Sequence, residues 1–289
     1  MKDLFTKKWI IENSIQICND YEFGVLTLRS LHYQLVGIGM TNDLNHYKRV
    51  VGAMIEARWN GDIAFEQFSD LDREMVGESK FQPTSVQAKS EEAKTQVRLW
   101  MTSYSKNRWE NQMVVPEVLI EKKALQGVFV PICRKLGVAL GACKGYPSLT
   151  FLNDIAARYS DVIAHGKQPI ILYFGDYDPS GEDIPRSIVE NLLKFDIEVE
   201  LERIGLLEDQ VINLNLPPAP TKLTDTRSGK WNGLGQVELD AVKPEMLQQW
   251  CSDAIHNVFD KDLYQELNKI EKDEEITFRK ILKEFVSKL

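Results

Sequence analysis

The stretch Pro169-Ile170-Ile171-Leu172-Tyr173-Phe174-Gly175-Asp176-Tyr177-Asp178-Pro179-Ser180-Gly181 decides how this chain is read. A short apolar run stopped by glycine reads as a buried strand. Two acids one residue apart follow it, and Pro-Ser-Gly turns the chain toward a helix expected over Ile184–Lys194. Working outward, the same texture repeats: a strand at Val114–Ile120, a helix at Ala124–Leu136, a strand at Val138–Ala142 and a helix at Ser148–Tyr159. Beyond the quoted stretch, Ile197–Ile204 alternates as a further strand. The succession predicts an α/β fold with a Rossmann-like, mostly parallel sheet.

Ligands of open α/β sheets gather at the carboxyl ends of the strands. Glu121 follows Val118-Leu119-Ile120 directly, as Asp176 and Asp178 follow Phe174 and Gly175. Carboxylates converging there repel one another unless a hard cation neutralises them, which makes Glu121, Asp176 and Asp178 candidate ligands of Mg²⁺, with Mn²⁺ as a substitute. A plainer use of the same residues is also open: Asp178 caps the next helix, and Glu121 pairs with Lys122 or Lys123. The Gly-Lys-Ser/Thr run of a P-loop is absent, so no intrinsic ATP site is expected.

Before this region the chain reads as a small helical domain. Lys7–Asn19 is amphipathic, and Thr27 precedes a helix carrying Leu28, Leu31, Leu35 and Val36 at i, i+3, i+7 and i+8. A third helix, Asn45–Asn60, has Tyr47, Val50, Val51, Met54 and Ile55 on its apolar side and stops at Gly61. Three helices followed by short extended pieces such as Ile63-Ala64-Phe65 fit a winged-helix variant of helix-turn-helix. The expected domains are therefore 1–78 (winged helix), 79–110 (a linker turning helical near Ser90–Met101) and 111–289. The last ends in an amphipathic helix with Phe278, Ile281, Leu282, Phe285 and Val286.

The order Glu121-Lys122, then Lys144-Gly145-Tyr146-Pro147, then Asp176-Tyr177-Asp178-Pro179-Ser180-Gly181 resembles the Toprim domain of topoisomerases and related nucleases. It most resembles that of the A subunit of topoisomerase VI and its meiotic double-strand-break relatives, and in length the stand-alone "mini-A" forms. The resemblance implies a CAP-like winged helix ahead of the Toprim domain and makes Glu121, Asp176 and Asp178 the metal ligands. Arg29-Ser30-Leu31-His32-Tyr33 is similar to the family's catalytic segment, which would make Tyr33 the nucleophile and Arg29 its helper. Arg29 lies four residues before Tyr33, on one helix face, where its charge could stabilise a phenolate. The family commonly has Arg after the Thr that follows Gly-Tyr-Pro; here Thr150 is followed by Phe151.

The implied activity is Mg²⁺-dependent cleavage of double-stranded DNA by tyrosine transesterification, leaving a 5′-phosphotyrosyl link. Cutting both strands calls for a homodimer, and a GHKL-type ATPase is a possible partner. The alternatives are a hydrolytic Toprim nuclease using metal-bound water, and a DNA-binding module that cuts only in a larger assembly or not at all.

The net charge of −8 over 289 residues is unusual for a DNA-acting protein, but the acids are unevenly spread. They concentrate at Asp62–Glu78 and in the C-terminal helix. Between Glu121 and Tyr146 the charges are otherwise Lys122, Lys123, Arg134, Lys135 and Lys144, of which Lys122, Lys123 and Lys144 are candidate phosphate contacts. A second cationic stretch holds Lys222, Arg227 and Lys230. Four scattered cysteines without metal-ligand spacing read as buried free thiols, and no apolar run is long enough for a bilayer. With no export signal visible at the N-terminus, a cytoplasmic location is expected.

Overall fold

The computed structural model describes residues 4–21, 26–68, 85–217 and 235–286. The cationic stretch around Lys222, Arg227 and Lys230 lies outside them. The chain forms two compact units, one from residues 1–72 and 114–258, the other from residues 73–113 and 259–289.

The first unit begins with three helices, α1 (Lys7–Asp20), α2 (Leu28–Gly37) and α3 (Leu44–Asn60). Each starts where a side-chain oxygen accepts an otherwise unpaired N–H: Thr6 from Trp9, Thr27 from Ser30, Asp43 from His46. Gly61, in the left-handed region, closes α3 as the sequence predicts. Ile10, Leu31, Leu35, Val50 and Met54 meet in a shared apolar core. On α3 the buried positions are Val50, Ala53, Met54 and Ala57, whereas Ile55 faces outward. The expected strand at Ile63–Phe65 is not formed; Phe65–Gln67 is a single 3₁₀ turn, and extended pairing there is one bridge between Leu26 and Phe68.

The same unit holds a four-stranded, all-parallel sheet in the order β2-β1-β3-β4. Its strands are β1 (Val114–Ile120), β2 (Ala139–Ala142), β3 (Gln168–Phe174) and β4 (Glu200–Gly205). Between them run α5 (Gln126–Leu136), α6 (Leu149–Ala164) and α7 (Pro179–Leu193); α8 (Glu208–Asn213) and α9 (Pro244–Asn257) follow. Alternate side chains of a strand leave opposite faces. Leu119, Ile171 and Tyr173 accordingly pack with Ile155 of α6 and Ile184 and Ile188 of α7. On the other face Phe174 meets Phe129 of α5, ring centroids 4.8 Å apart, and α5 packs on α9. The chain steps from β1 outward to β2, then returns past β1 to β3. The crevice between the carboxyl ends of β1 and β3 is therefore the topological switch point, where such sheets bind ligands.

The second unit contains α4 (Val86–Trp100), capped by Ser85, and α10 (Lys261–Val286). Gln112 and Asp260 exchange hydrogen bonds, Trp109 packs edge-on against Phe259, and Lys106 bridges Glu110 and Glu274. The helix expected as part of a linker and the C-terminal helix thus share one compact unit, separate from the sheet. All four cysteines are free and buried, as expected. Among the described residues no helix is long and apolar enough to cross a membrane.

Candidate functional site

Strand pairing alone brings the sequence-predicted acids together. β1 and β3 run in register from Val114↔Gln168 to Ile120↔Phe174, and the ladder continues one step further, Glu121 N–H donating to Phe174 O at 2.8 Å. Glu121 therefore emerges beside Gly175 and Asp176, and its Oε2 accepts the N–H of Asp176 at 2.9 Å. The loop after β2 is tied back to the same place: Gly145 N–H donates to Glu121 O, with Lys144 and Gly145 both left-handed (φ 56° and 84°). Tyr146 of that loop donates to Asp183 of α7 at 2.6 Å. The Gly-Tyr-Pro loop is thus tied to α7, 37 residues further along the chain.

Asp178 has a different task. Its Oδ1 accepts Gly181 N–H at 2.7 Å and N-caps α7, which starts at Pro179 rather than at the expected Ile184. Proline suits that first position, where its missing N–H costs nothing. Gly181 is required sterically: a Cβ there would lie 2.1 Å from the carbonyl oxygen of Asp176. That close approach sets the first turn of α7 directly against the backbone of the acidic loop.

Arg203 of β4 was not anticipated from the sequence. Its guanidinium donates to three backbone carbonyls, of Asp176 (2.7 Å), Gly181 (2.8 Å) and Leu206 (3.0 Å), and so fixes the same loop from below. Glu238 and Asp240 were missed as well. Tyr177 and Val237 exchange backbone hydrogen bonds of 2.9 Å, and Leu239 N–H donates to Asp176 Oδ1 at 2.8 Å. These bonds lay Glu238 and Asp240 alongside the carboxylates. Val237-Glu238-Leu239-Asp240 alternates apolar and acidic, a strand-like signal too short to stand out.

Lys122 was expected to track phosphate. It sits instead inside the acidic set, its Nζ 2.9 Å from Asp176 Oδ2, 2.9 Å from Asp240 Oδ2 and 3.4 Å from Glu238 Oε2. Burial by itself would discharge this ammonium; Asp240, Asp176 and Glu238 outweigh it and hold it charged. Glu238 also takes a two-pronged bond from Arg29, Nε–Oε2 2.9 Å and Nη2–Oε1 2.6 Å. Burial would raise the Glu238 carboxyl, but Lys122 and Arg29 hold it below its ordinary value.

Tyr33 is not at the surface, where the winged-helix reading would present it to DNA. It is 3 % exposed, and its hydroxyl finds no hydrogen-bond partner among the described residues. Burial, reinforced by Glu238 and opposed by Arg29 and Lys122, pushes its phenol up to about 12. Arg29 does lie near it, 5.6 Å from the ring centroid, and also 5.3 Å from that of Tyr47. This face of α2 packs on the 3₁₀ turn Leu239–Ala241, so Arg29 and Tyr33 border the carboxylate site within one chain.

The acids carry the electrostatic mark of crowding. Burial first, and then the neighbouring charge of Asp178, raise Glu121 against the bond from Asp176 N–H. Asp176 is pushed up to about 7 by burial, with Glu121 adding to the rise and Lys122 opposing it. Within this linked set five carboxylates (Glu121, Asp176, Asp178, Glu238, Asp240) face three cations (Lys122, Arg29, Arg203).

Among the described residues no three His, Cys, Asp or Glu side chains are grouped to hold a metal ion between them. Glu121 accepts the N–H of Asp176 and feels the charge of Asp178, whose Oδ1 caps α7. Mg²⁺, however, keeps several waters and is ordinarily bound by one or two carboxylates plus phosphate oxygens. Two adjacent hard-oxygen donors in a negatively charged crevice fit it. Lys123 and Lys144 flank the crevice in sequence, on the segments that carry Glu121 and the Gly145 turn.

No family profile, curated protein or solved structure matches this chain.

Proposed function

We propose that this protein cuts the phosphodiester backbone of DNA by divalent-cation-assisted hydrolysis, at a Toprim-like site where Glu121 and Asp176 hold Mg²⁺ or Mn²⁺ and Asp178 orders the adjoining helix. The observation that carries the reading is the convergence of two buried carboxyls, Glu121 and Asp176, at the switch point of the sheet, joined by the bond from Asp176 N–H to Glu121 and both raised above their ordinary values. Bound there, the cation would supply charge neutralisation for the phosphate and a more acidic water. Glu121 and Asp176 provide the oxygen donors. Arg203 and the bond from Asp176 N–H to Glu121 keep them in place without reorganisation. Lys123 and Lys144 are the proposed backbone contacts.

Hydrolysis is favoured over attack by Tyr33 because that phenol is buried and its pKa raised, both of which oppose a phenolate nucleophile. Transesterification is the second reading, supported by the placement of Arg29 and Tyr33 beside the carboxylates. It requires α2 to move so that Tyr33 reaches a phosphate.

End-labelled duplex incubated with the protein and Mn²⁺, then quenched in detergent with and without protease, separates the readings. Hydrolysis predicts free ends that protease does not shift, lost in Glu121→Gln and in Asp176→Asn. Protease-sensitive 5′ adducts that vanish in Tyr33→Phe would replace hydrolysis with transesterification. Cutting by both acid variants at the wild-type rate would reject the site.

A further inference from the structure

Lys122 stands where a cation bound to Asp176 would feel it most. Its ammonium is 2.9 Å from Asp176 Oδ2, while the backbone N–H of the same Asp176 donates to Glu121, so Asp176 ties Lys122 to the Glu121 side of the crevice. The other two partners of Lys122, Asp240 and Glu238, lie on the strap held by Tyr177–Val237 pairing and by Leu239 N–H. Asp240 is 1 % exposed, and its Oδ1 has no hydrogen-bond partner among the described residues. An acid buried this deeply is costly unless a charge compensates it. Lys122 is that charge, at 2.9 Å from the other oxygen, Oδ2.

We propose that Lys122 is a built-in competitor of the divalent cation for Asp176, and that Asp240 and Glu238 are the seat to which its ammonium withdraws when the cation binds. The inference rests on the reading of Glu121 and Asp176 as cation ligands and adds a regulation of that site. Two positive centres cannot both lie against one carboxylate oxygen without strong repulsion at the separations involved. The metal-free site is thus partly self-neutralised and binds the cation weakly. The phosphate of a bound nucleic acid, contributing its own oxygens and negative charge, shifts the balance, so cation and substrate arrive together. Asp240 and Glu238 are positioning residues in this scheme: they act on the reaction through Lys122. Lys122 also cannot leave for solvent at no cost, because its departure would strand Asp240.

The test is Mn²⁺ affinity of the full chain without DNA, read by electron paramagnetic resonance of the free ion. Lys122→Gln removes the competitor and should bind Mn²⁺ more tightly by about tenfold or more. Lys122→Arg keeps the charge and should stay within about threefold of wild type. Loss of a merely structural lysine would loosen the site, so equal or weaker binding by a folded Lys122→Gln protein overturns the proposal. Should that variant fail to fold, Asp240→Asn decides. With its alternative seat weakened, Lys122 leans on Asp176 and Mn²⁺ affinity falls, whereas unchanged or tighter binding overturns the proposal. Wild type and all variants failing to bind Mn²⁺ at millimolar concentration would overturn the underlying cation-site reading itself. A wild type that binds while Lys122→Gln binds no more tightly would overturn the competition alone.

Discussion

Tyr33 and Asp176 show how much a residue's role depends on surroundings that its sequence neighbours do not report. The spacing of Arg29 and Tyr33 correctly places both on one face of α2, but that face turns inward onto Leu239–Ala241. Tyr33→Phe removes an unpaired buried hydroxyl and leaves the ring, so it should raise stability slightly, by up to about 1 kcal/mol, and leave hydrolytic cutting intact. Chemical denaturation and the cleavage assay check both. Asp176 gives a pH signature. Its carboxyl is raised from 3.8 to about 7 in the folded chain, so the native state holds a proton there that the unfolded state has released. Its stabilising contribution is full below the unfolded value and is lost as pH rises through about 7. Metal-free wild type should lose on the order of a few kcal/mol relative to Asp176→Asn across that window. Denaturation curves of the two proteins that stay parallel from acid to neutral pH would contradict the shift.

At the scale of elements, the first three strands fall within one residue of their expected bounds, whereas the fourth, expected over Ile197–Ile204, begins only at Glu200. Pro169–Phe174 is an uninterrupted apolar run, and Val114–Ile120 is broken only by Pro116 and by Glu117, a buried acid paired with Arg158, because both faces of these parallel strands are covered by helices. The start of α7 was read too late, since Pro179-Ser180-Gly181 looks like a turn until Asp178 is seen to cap it. Glu238 and Asp240 were illegible for another reason. Their placement depends on a bridge to Tyr177, sixty residues away, and long-range pairing leaves no local periodicity to read. The extended piece expected at Ile63–Phe65 becomes a 3₁₀ turn from Phe65 on, because alternation over three residues cannot distinguish the two. Gly181 provides the sharpest prediction at this scale. Gly181→Ala puts a methyl 2.1 Å from Asp176 O, so α7 must move away from the acidic loop. A loss of about 3 kcal/mol or more is expected, with weakened cation binding. Thermal unfolding indistinguishable from wild type would show that the loop and helix are not locked together in this way.

For the whole molecule, the overall acidity that seemed to argue against a nucleic-acid enzyme is partly explained by where the acids lie. Five of them, Glu121, Asp176, Asp178, Glu238 and Asp240, are linked at the ends of β1 and β3, and others line α10, where Glu271 and Glu274 bind Lys106 within the second unit. The apolar stripe of α10, which reads in sequence as a face without a partner, is partly used inside that unit: Phe278 packs on Tyr104, while Ile281 and Phe285 remain exposed. As proposed above, the Glu121–Asp176 crevice supplies the oxygen donors for one divalent cation. Calorimetric titration of Mn²⁺ above neutral pH into wild type and into the Glu121→Gln, Asp176→Asn double variant tests it most directly. Wild type should bind one ion per chain saturably and the folded double variant none; equal affinity in both proteins would rule the site out.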